Sequence, residues 1–169
     1  NPNAQYQFPM TVDQVVEDRP VSFPLTRAMC SPIGDGAAAA VVVSEDYYKG
    51  LPQAVKDRAV KIRANALSGG KYKRLDEPSL SMTAAQKAYA HAGLKPEDVQ
   101  VAEVHDATSF CEVLQVELMG FCDVGEGGRF VEAGETGPGG KVPVNTSGGL
   151  VSKGHPVGAT GLSMIYELT

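Results

Sequence analysis

Apolar and polar positions along the chain fall into segments of two different periods. Thr11 is placed to cap a short helix over "TVDQVVEDR", which Pro20 closes. "RPVSFPLT" follows as an extended stretch punctuated by proline. After the turn-like "CSPIGDG", the run "AAAAVVVS" is small, apolar and β-branched without alternation, the pattern of a strand buried on both faces. "EDYYKGLPQAVKDR" has helical character but carries Gly50 and Pro52, so it predicts a broken helix. "AVKIRANALSGG" alternates well enough for a second strand ending in a glycine pair.

The next segment, "KYKRLDEPSLS", is polar and irregular, a loop suited to a lid or a docking surface. Ser81 is the expected cap of the clearest helix, "MTAAQKAYAHAGL", which Gly93 stops. Residues 101–104 predict a short strand, and "SFCEVLQVELMGF" a second good helix with Val113, Leu114, Val116, Leu118 and Met119 on its apolar surface. A glycine-rich span over residues 125–140 leads into a short strand, "VPVN", and the chain closes with a helix, "LSMIYEL". Strands alternating with helices predict an α/β layered fold, with a mixed, largely parallel sheet covered by helices on both faces. No internal repeat or composition break divides residues 1–169, which read as one domain.

Composition narrows the classes of function. With 169 residues, 43% hydrophobic and 21% charged, the chain is long and apolar enough for a substantial core. A net charge of −5 without a dense Lys/Arg run argues against nucleic acid or an anionic membrane as partner. No stretch is long enough and apolar enough for a membrane span. Three cysteines, Cys30, Cys111 and Cys122, form neither a disulfide framework nor a zinc motif and fit a reducing, cytoplasmic setting. The chain starts without Met and stops at "MIYELT" within an amphipathic pattern, so it reads as a piece of a longer protein.

The chemistry concentrates in "SGGLVSKGHPVGATG". Gly149 to Gly154 have the glycine spacing of a P-loop, but His155 and Pro156 stand where Lys and Ser/Thr would have to reach the phosphates and magnesium. Two readings stay open. One is a histidine held at a helix N-terminus, where free N–H groups favour developing negative charge and Gly158, Ala159 and Gly161 let that end approach other backbone closely. The other is a glycine-rich connection with an exposed histidine. Lys153 could meet an anionic group, with a solvated lysine as the default reading. His105 and Asp106 lie at the carboxyl end of a predicted strand, where open α/β sheets bind ligands. For Asp106 alone, capping the helix that follows is the simpler reading. His91 reads as a surface residue. None of the cysteines shows the setting of an activated nucleophile, and Ser31, Asp35 and Gly36 read as a turn.

Two separated motifs then agree. "NTSGGLVSKGHPVGATG" resembles the GHP loop of the thiolase superfamily, and "EVHDATSF" resembles the HDCF loop of its sterol-carrier-protein-type branch. "NPNAQYQ", "CSPIGDGAAAAVV" and "GRFVEAGETGPGGKVPVNTSGG" follow that branch in order and spacing. The resemblance covers essentially the whole chain but corresponds to the C-terminal half of a thiolase, less its last strands. It implies a thiolase-like layered fold in which each half has a βαβαβ-type core.

By that resemblance, His155 is the loop histidine that helps activate a nucleophilic cysteine and binds the thioester oxygen. His105 maps onto the position that completes the oxyanion site, generally through a water. Ser31 falls on a serine that contacts the pantetheine arm, and Gly154 and Gly158 frame the substrate loop. The nucleophile itself belongs to the family's first half, outside this sequence. The implied activity is acyl-CoA carbon–carbon bond chemistry with coenzyme A or acyl-CoA as substrate, no permanently bound cofactor and no metal. The implied assembly is a homodimer formed through the other half, in the cytoplasm or, in a eukaryote, the peroxisome. One position departs from the pattern: Ala107 stands where the branch has its second cysteine, the proton shuttle, and a methyl group transfers no proton. That departure brings in retro-aldolases that cleave steroid side-chain CoA thioesters beside an OB-fold companion protein. A non-catalytic acyl-CoA or lipid carrier is the third reading, and the isolated fragment is expected to be inactive.

Overall fold

The first helix shows how closely local chemistry is obeyed. In the computed structural model, which describes residues 2–70, 72–74 and 77–169, Thr11 caps α1 (Val12–Val16) with a complete capping box: its hydroxyl accepts from the Gln14 N–H while the Gln14 side chain accepts from the Thr11 N–H. A short antiparallel pair follows, β1 (Pro20–Ser22) and β2 (Leu25–Thr26), joined through a cis Phe23–Pro24 bond. Ser44 caps α2 (Glu45–Lys49), and the expected break is real, with Gly50 ending α2 and Pro52 opening α3 (Gln53–Lys56). The polar loop expected over residues 71–81 lies partly outside the described residues, at Lys71, Leu75 and Asp76.

α4 (Leu80–Ala92) is capped by Ser79, whose Oγ accepts from the Met82 N–H, and not by Ser81, which lies inside its first turn. Pattern reading misplaced the start because Ser79 and Ser81 flank an apolar residue that already belongs to the helix. Gly93, in left-handed conformation at φ 66°, ends α4 as expected. α5 (Ser109–Leu118) and α6 (Gly127–Glu132) follow. Two helices are built from the glycine-rich tail: α7 (Gly149–Lys153) and α8 (Val157–Glu167), which starts earlier than the apolar pattern suggested.

The α/β class holds, but the sheet differs from expectation. Among the described residues the regular sheet is the β1–β2 pair alone. The segments 37–44 and 59–70, expected as strands, form no ladder among them and leave their apolar side chains in the open, with Val41 91% exposed. A strand buried on both faces needs a hydrogen-bonded neighbour and a layer on each side; the described residues supply neither. Parallel pairing survives as single bridges, Ile33 with His155 and Ala102 with Val144.

The core that carries the site lies around the second bridge. Val104, Val116, Phe121, Val142 and Val144 form one buried cluster, with Val116 fully enclosed. Along residues 104–106 burial alternates, Val104 in, His105 out, Asp106 in, as a two-residue period requires. The Ala102 N–H donates to Pro143 O and the Asn145 N–H donates to Ala102 O, which fixes the register of the two segments. We expect Ser79→Ala to cost about 0.5–2 kcal/mol of stability by urea unfolding, whereas Ser81→Ala leaves it within about 0.5 kcal/mol.

Candidate active site: two histidines on clamped loops

The ladder beside Val104 continues through a side chain. Where the backbone turns away, Asn145 takes a left-handed conformation (φ 53°), and its Oδ1 accepts from the Val104 N–H at 2.8 Å. Asparagine tolerates that conformation better than most residues. Its Nδ2 donates to Glu112 Oε2 at 3.1 Å, tying α5 to the same point.

Residues 103–106 and 147–155 are then locked together by buried charge. Asp106, which sequence reading gave to the helix that follows it, instead accepts from the Leu150 N–H at the start of α7, 2.9 Å away. The reason is geometric: Asp106 points into the core side of its segment, where the first N–H groups of α7 need an acceptor. Gly148 and Gly149 both hold positive φ (111° and 70°), and a Cβ on Gly149 would run into the Asp106 carboxylate. Glu103 accepts from both the N–H and the hydroxyl of Ser147, at 3.1 and 2.7 Å. Lys153 reaches the same pair, donating to Ser147 Oγ at 2.8 Å with Glu103 Oε2 at 3.6 Å. The side chains of Glu103 and Lys153 are 1% and 10% exposed. Lys153 is therefore neither solvated nor free for a ligand; it serves an internal ion pair.

This clamp delivers the two imidazoles. His105 and His155 approach Nε2 to Nε2 at 3.2 Å, with ring planes 72° apart. The other ring nitrogen of His155, Nδ1, lies 2.8 Å from Thr160 Oγ1 in the first turn of α8. Burial, followed by the neighbouring His105, holds the His155 imidazole below its ordinary pKa, with Asp106 pulling the other way. Burial likewise pushes the Asp106 and Glu112 carboxyls above their ordinary values.

The remaining expected residues lie close by. The Ser31 N–H donates to Ala107 O at 2.9 Å, and the His155 N–H donates to Pro32 O at 3.1 Å, so the 30–33 segment bridges both histidine loops. Gly154 is buried at φ 101° against Gln5. Gly158 is exposed, with open space where a side chain would stand. His91 is exposed on α4 and takes no part. Sequence reading missed Glu103, Thr160, Asn145 and Glu112. One signal was present: Glu103 and Lys153 each stand two residues before a histidine.

The family model described as thiolase C-terminal domain-like matches residues 74–169, which include both histidine loops and the clamp. The chain belongs to the thiolase C-terminal domain-like family. It is 41% identical to sterol carrier protein 2 of Rattus norvegicus over 99% of this chain and 32% of that protein. It is 39% identical to an acetyl-CoA acetyltransferase of Methanothermobacter thermautotrophicus over 99% of this chain and 44% of that enzyme. The chain thus spans about a third of the sterol carrier protein and under half of the acetyltransferase. A solved structure named Ltp2-ChsH2(DUF35) aldolase superposes with a TM-score of 0.73 over 96% of this chain and 44% of that one, at 24% identity, and so shares its fold. The thiolase-like α/β fold expected from the GHP and HD motifs is the fold found. Among the described residues no helix is long and apolar enough to cross a membrane, and no group of His, Cys, Asp and Glu could hold a metal ion.

Two measurements check the clamp of this thiolase-family site. Gly149→Ala should destabilise by about 2 kcal/mol or more in urea unfolding, because it forces an L residue to positive φ and into Asp106, while Gly158→Ala should be neutral or stabilising by up to about 1 kcal/mol. For Glu112, folding raises the carboxyl pKa, so its favourable contribution exists below the unfolded pKa and is lost as pH rises through the folded one. Glu112→Gln should therefore gain stability relative to the parent between pH 4 and pH 7; a pH-independent difference would contradict the raised pKa.

Proposed function

We propose that this chain supplies the oxyanion-binding histidine half of an acyl-CoA carbon–carbon bond enzyme of the thiolase type. The observation that carries this reading is the 3.2 Å approach of His105 Nε2 and His155 Nε2 on two loops held by buried charge. Two convergent ring nitrogens at that spacing suit one oxygen atom that gains negative charge, here the thioester oxygen of an acyl-CoA. Family membership and the acetyl-CoA acetyltransferase relative support the same chemistry.

In the thiolytic direction, His155 Nε2 takes the proton of a cysteine thiol that lies outside this sequence. The sulfur attacks the 3-keto carbon, and the C2–C3 bonding pair moves onto the leaving acetyl-CoA as its enolate. The enolate oxygen then rests on the histidine pair until C2 is protonated. In this reading Ser31, beside Pro32 on the segment that joins both histidine loops, meets the pantetheine arm, and Gly154 and Gly158 shape the loop that the thioester approaches.

Ala107 favours a second reading. It occupies the position from which the related thiolases deliver the last proton, and its contact here is a backbone one, accepting from the Ser31 N–H. Retro-aldol cleavage of a 3-hydroxyacyl-CoA forms the same enolate without a cysteine nucleophile, and the fold neighbour is named an aldolase. That reading also brings an OB-fold companion protein as partner, where the thiolytic one brings a homodimer. No bound cofactor and no metal are required by either.

The test uses the full-length protein. His155→Ala should lower turnover about 10²–10³-fold, the scale of one oxyanion donor. Near-normal turnover by that variant would sink the role of His155. Assays with acetoacetyl-CoA plus coenzyme A, and separately with 3-hydroxyacyl-CoA thioesters, distinguish thiolysis from retro-aldol cleavage. Tight binding of coenzyme A thioesters with no turnover of either would leave a carrier, the role that the sterol carrier protein 2 relative is named for.

A further inference from the structure

Thr160 is nearly sealed from solvent, at 2% exposure, yet its hydroxyl stands 2.8 Å from His155 Nδ1 and 3.1 Å from the carbonyl oxygen of Pro156. A hydroxyl has one proton to give, and a carbonyl oxygen can only accept. With the Thr160 proton on Pro156 O, the Oγ1 lone pair facing His155 accepts from Nδ1–H. A neutral imidazole carries one N–H, so Nε2 is left with a bare lone pair. The 3.2 Å contact to His105 is then donated by His105 Nε2–H. In that orientation the chain runs one way, from His105 Nε2–H to His155 Nε2, from His155 Nδ1–H to Thr160 Oγ1, and from Thr160 Oγ1–H to Pro156 O. It ends on a group that cannot donate back.

We propose that Thr160 is a positioning residue that fixes the tautomer of His155, keeping the proton on Nδ1 so that Nε2 is a base at rest and becomes a hydrogen-bond donor only after it has taken a proton. The catalytic consequence rests on the acyl-CoA reading above. When a thiol transfers its proton, the S–H bond breaks, the electron pair stays on sulfur, and a new N–H bond forms at Nε2. Nδ1–H remains on Thr160 throughout. The resulting imidazolium now aims Nε2–H at the site where the thioester oxygen gains charge, so proton uptake and oxyanion stabilisation become one event. The other orientation of the Thr160 hydroxyl, donating to Nδ1, would place the proton on Nε2 at rest and abolish the base. Burial and His105 keep His155 on the neutral side, where the tautomer matters.

The experiment reads the ring nitrogens directly. The full-length protein is labelled with ring-15N histidine, and long-range proton–nitrogen correlation spectra are recorded for the parent, Thr160→Ser and Thr160→Val, the His155 signal being identified by its loss in His155→Gln. The parent and Thr160→Ser should show a protonated Nδ1 and an unprotonated Nε2, while Thr160→Val shifts toward the Nε2–H form. Alongside, kcat/KM with the acyl-CoA substrate should fall about 10–100-fold in Thr160→Val, with a displaced pH profile, and recover in Thr160→Ser. An Nε2–H tautomer in the parent overturns the proposal, as does a valine variant with unchanged ring signals and pH profile. Should Thr160→Val fail to fold, the parent and serine spectra still decide. If the protein turns over no acyl-CoA thioester, the acyl-CoA reading falls, while the ring spectra still settle the role of Thr160.

Discussion

Everything near the histidines depends on the carboxylate of Asp106 accepting the Leu150 N–H at the start of α7. That bond spans 44 residues of sequence and ties the His105 segment to the helix that delivers His155. It works because its surroundings are shaped to admit it. Gly148 and Gly149 take conformations closed to most L residues, and the missing side chain of Gly149 is the space the carboxylate fills. Glu103, Ser147 and Lys153 repeat the tie a few residues away. Buried charges of this kind add little net stability, because desolvation offsets their attraction, but removing one partner is costly. What they do here is set a distance.

In the proposed function the site that results holds one species, an enolate of a CoA thioester, through which both proposed reactions pass. They part at the proton. In the thiolytic route a cysteine supplies the nucleophile and another acid must protonate carbon; at Ala107 this chain has a methyl group for that task. In the retro-aldol route the proton comes from the substrate's own hydroxyl. In the proposed function the histidine pair serves either, so its geometry does not discriminate between them.

Much of the local structure was legible in the sequence. Thr11, Gly50, Pro52 and Gly93 begin or end helices where their chemistry says they should. The GHP and HD motifs pointed to the two histidines that meet. Other readings failed where the deciding partner is distant or lacking. Segments 37–44 and 59–70 have strand composition, yet among the described residues they pair with nothing, since composition carries a preference for a sheet but not the neighbour that completes it. Lys153 and Asp106 were read from adjacent residues as a solvated charge and a cap for α5. Their real partners, Glu103 and Leu150, are 50 and 44 residues away in sequence.

The division between sequence and fold follows from the range of the forces. By itself the sequence determined what short-range sterics and single side chains can dictate: caps, breaks, the glycine positions able to hold positive φ, and the presence of two histidines on loops. Only the tertiary structure decided that those imidazoles face one another at 3.2 Å, that Thr160 stands behind one of them, and that the carboxylates of Glu103 and Asp106 and the Lys153 ammonium are buried on the loops that carry them. A hydrogen bond across some 40 to 50 residues leaves no periodic trace in a linear pattern, because its partners are brought together by the packing of Val104, Val116 and Val144 rather than by their own spacing.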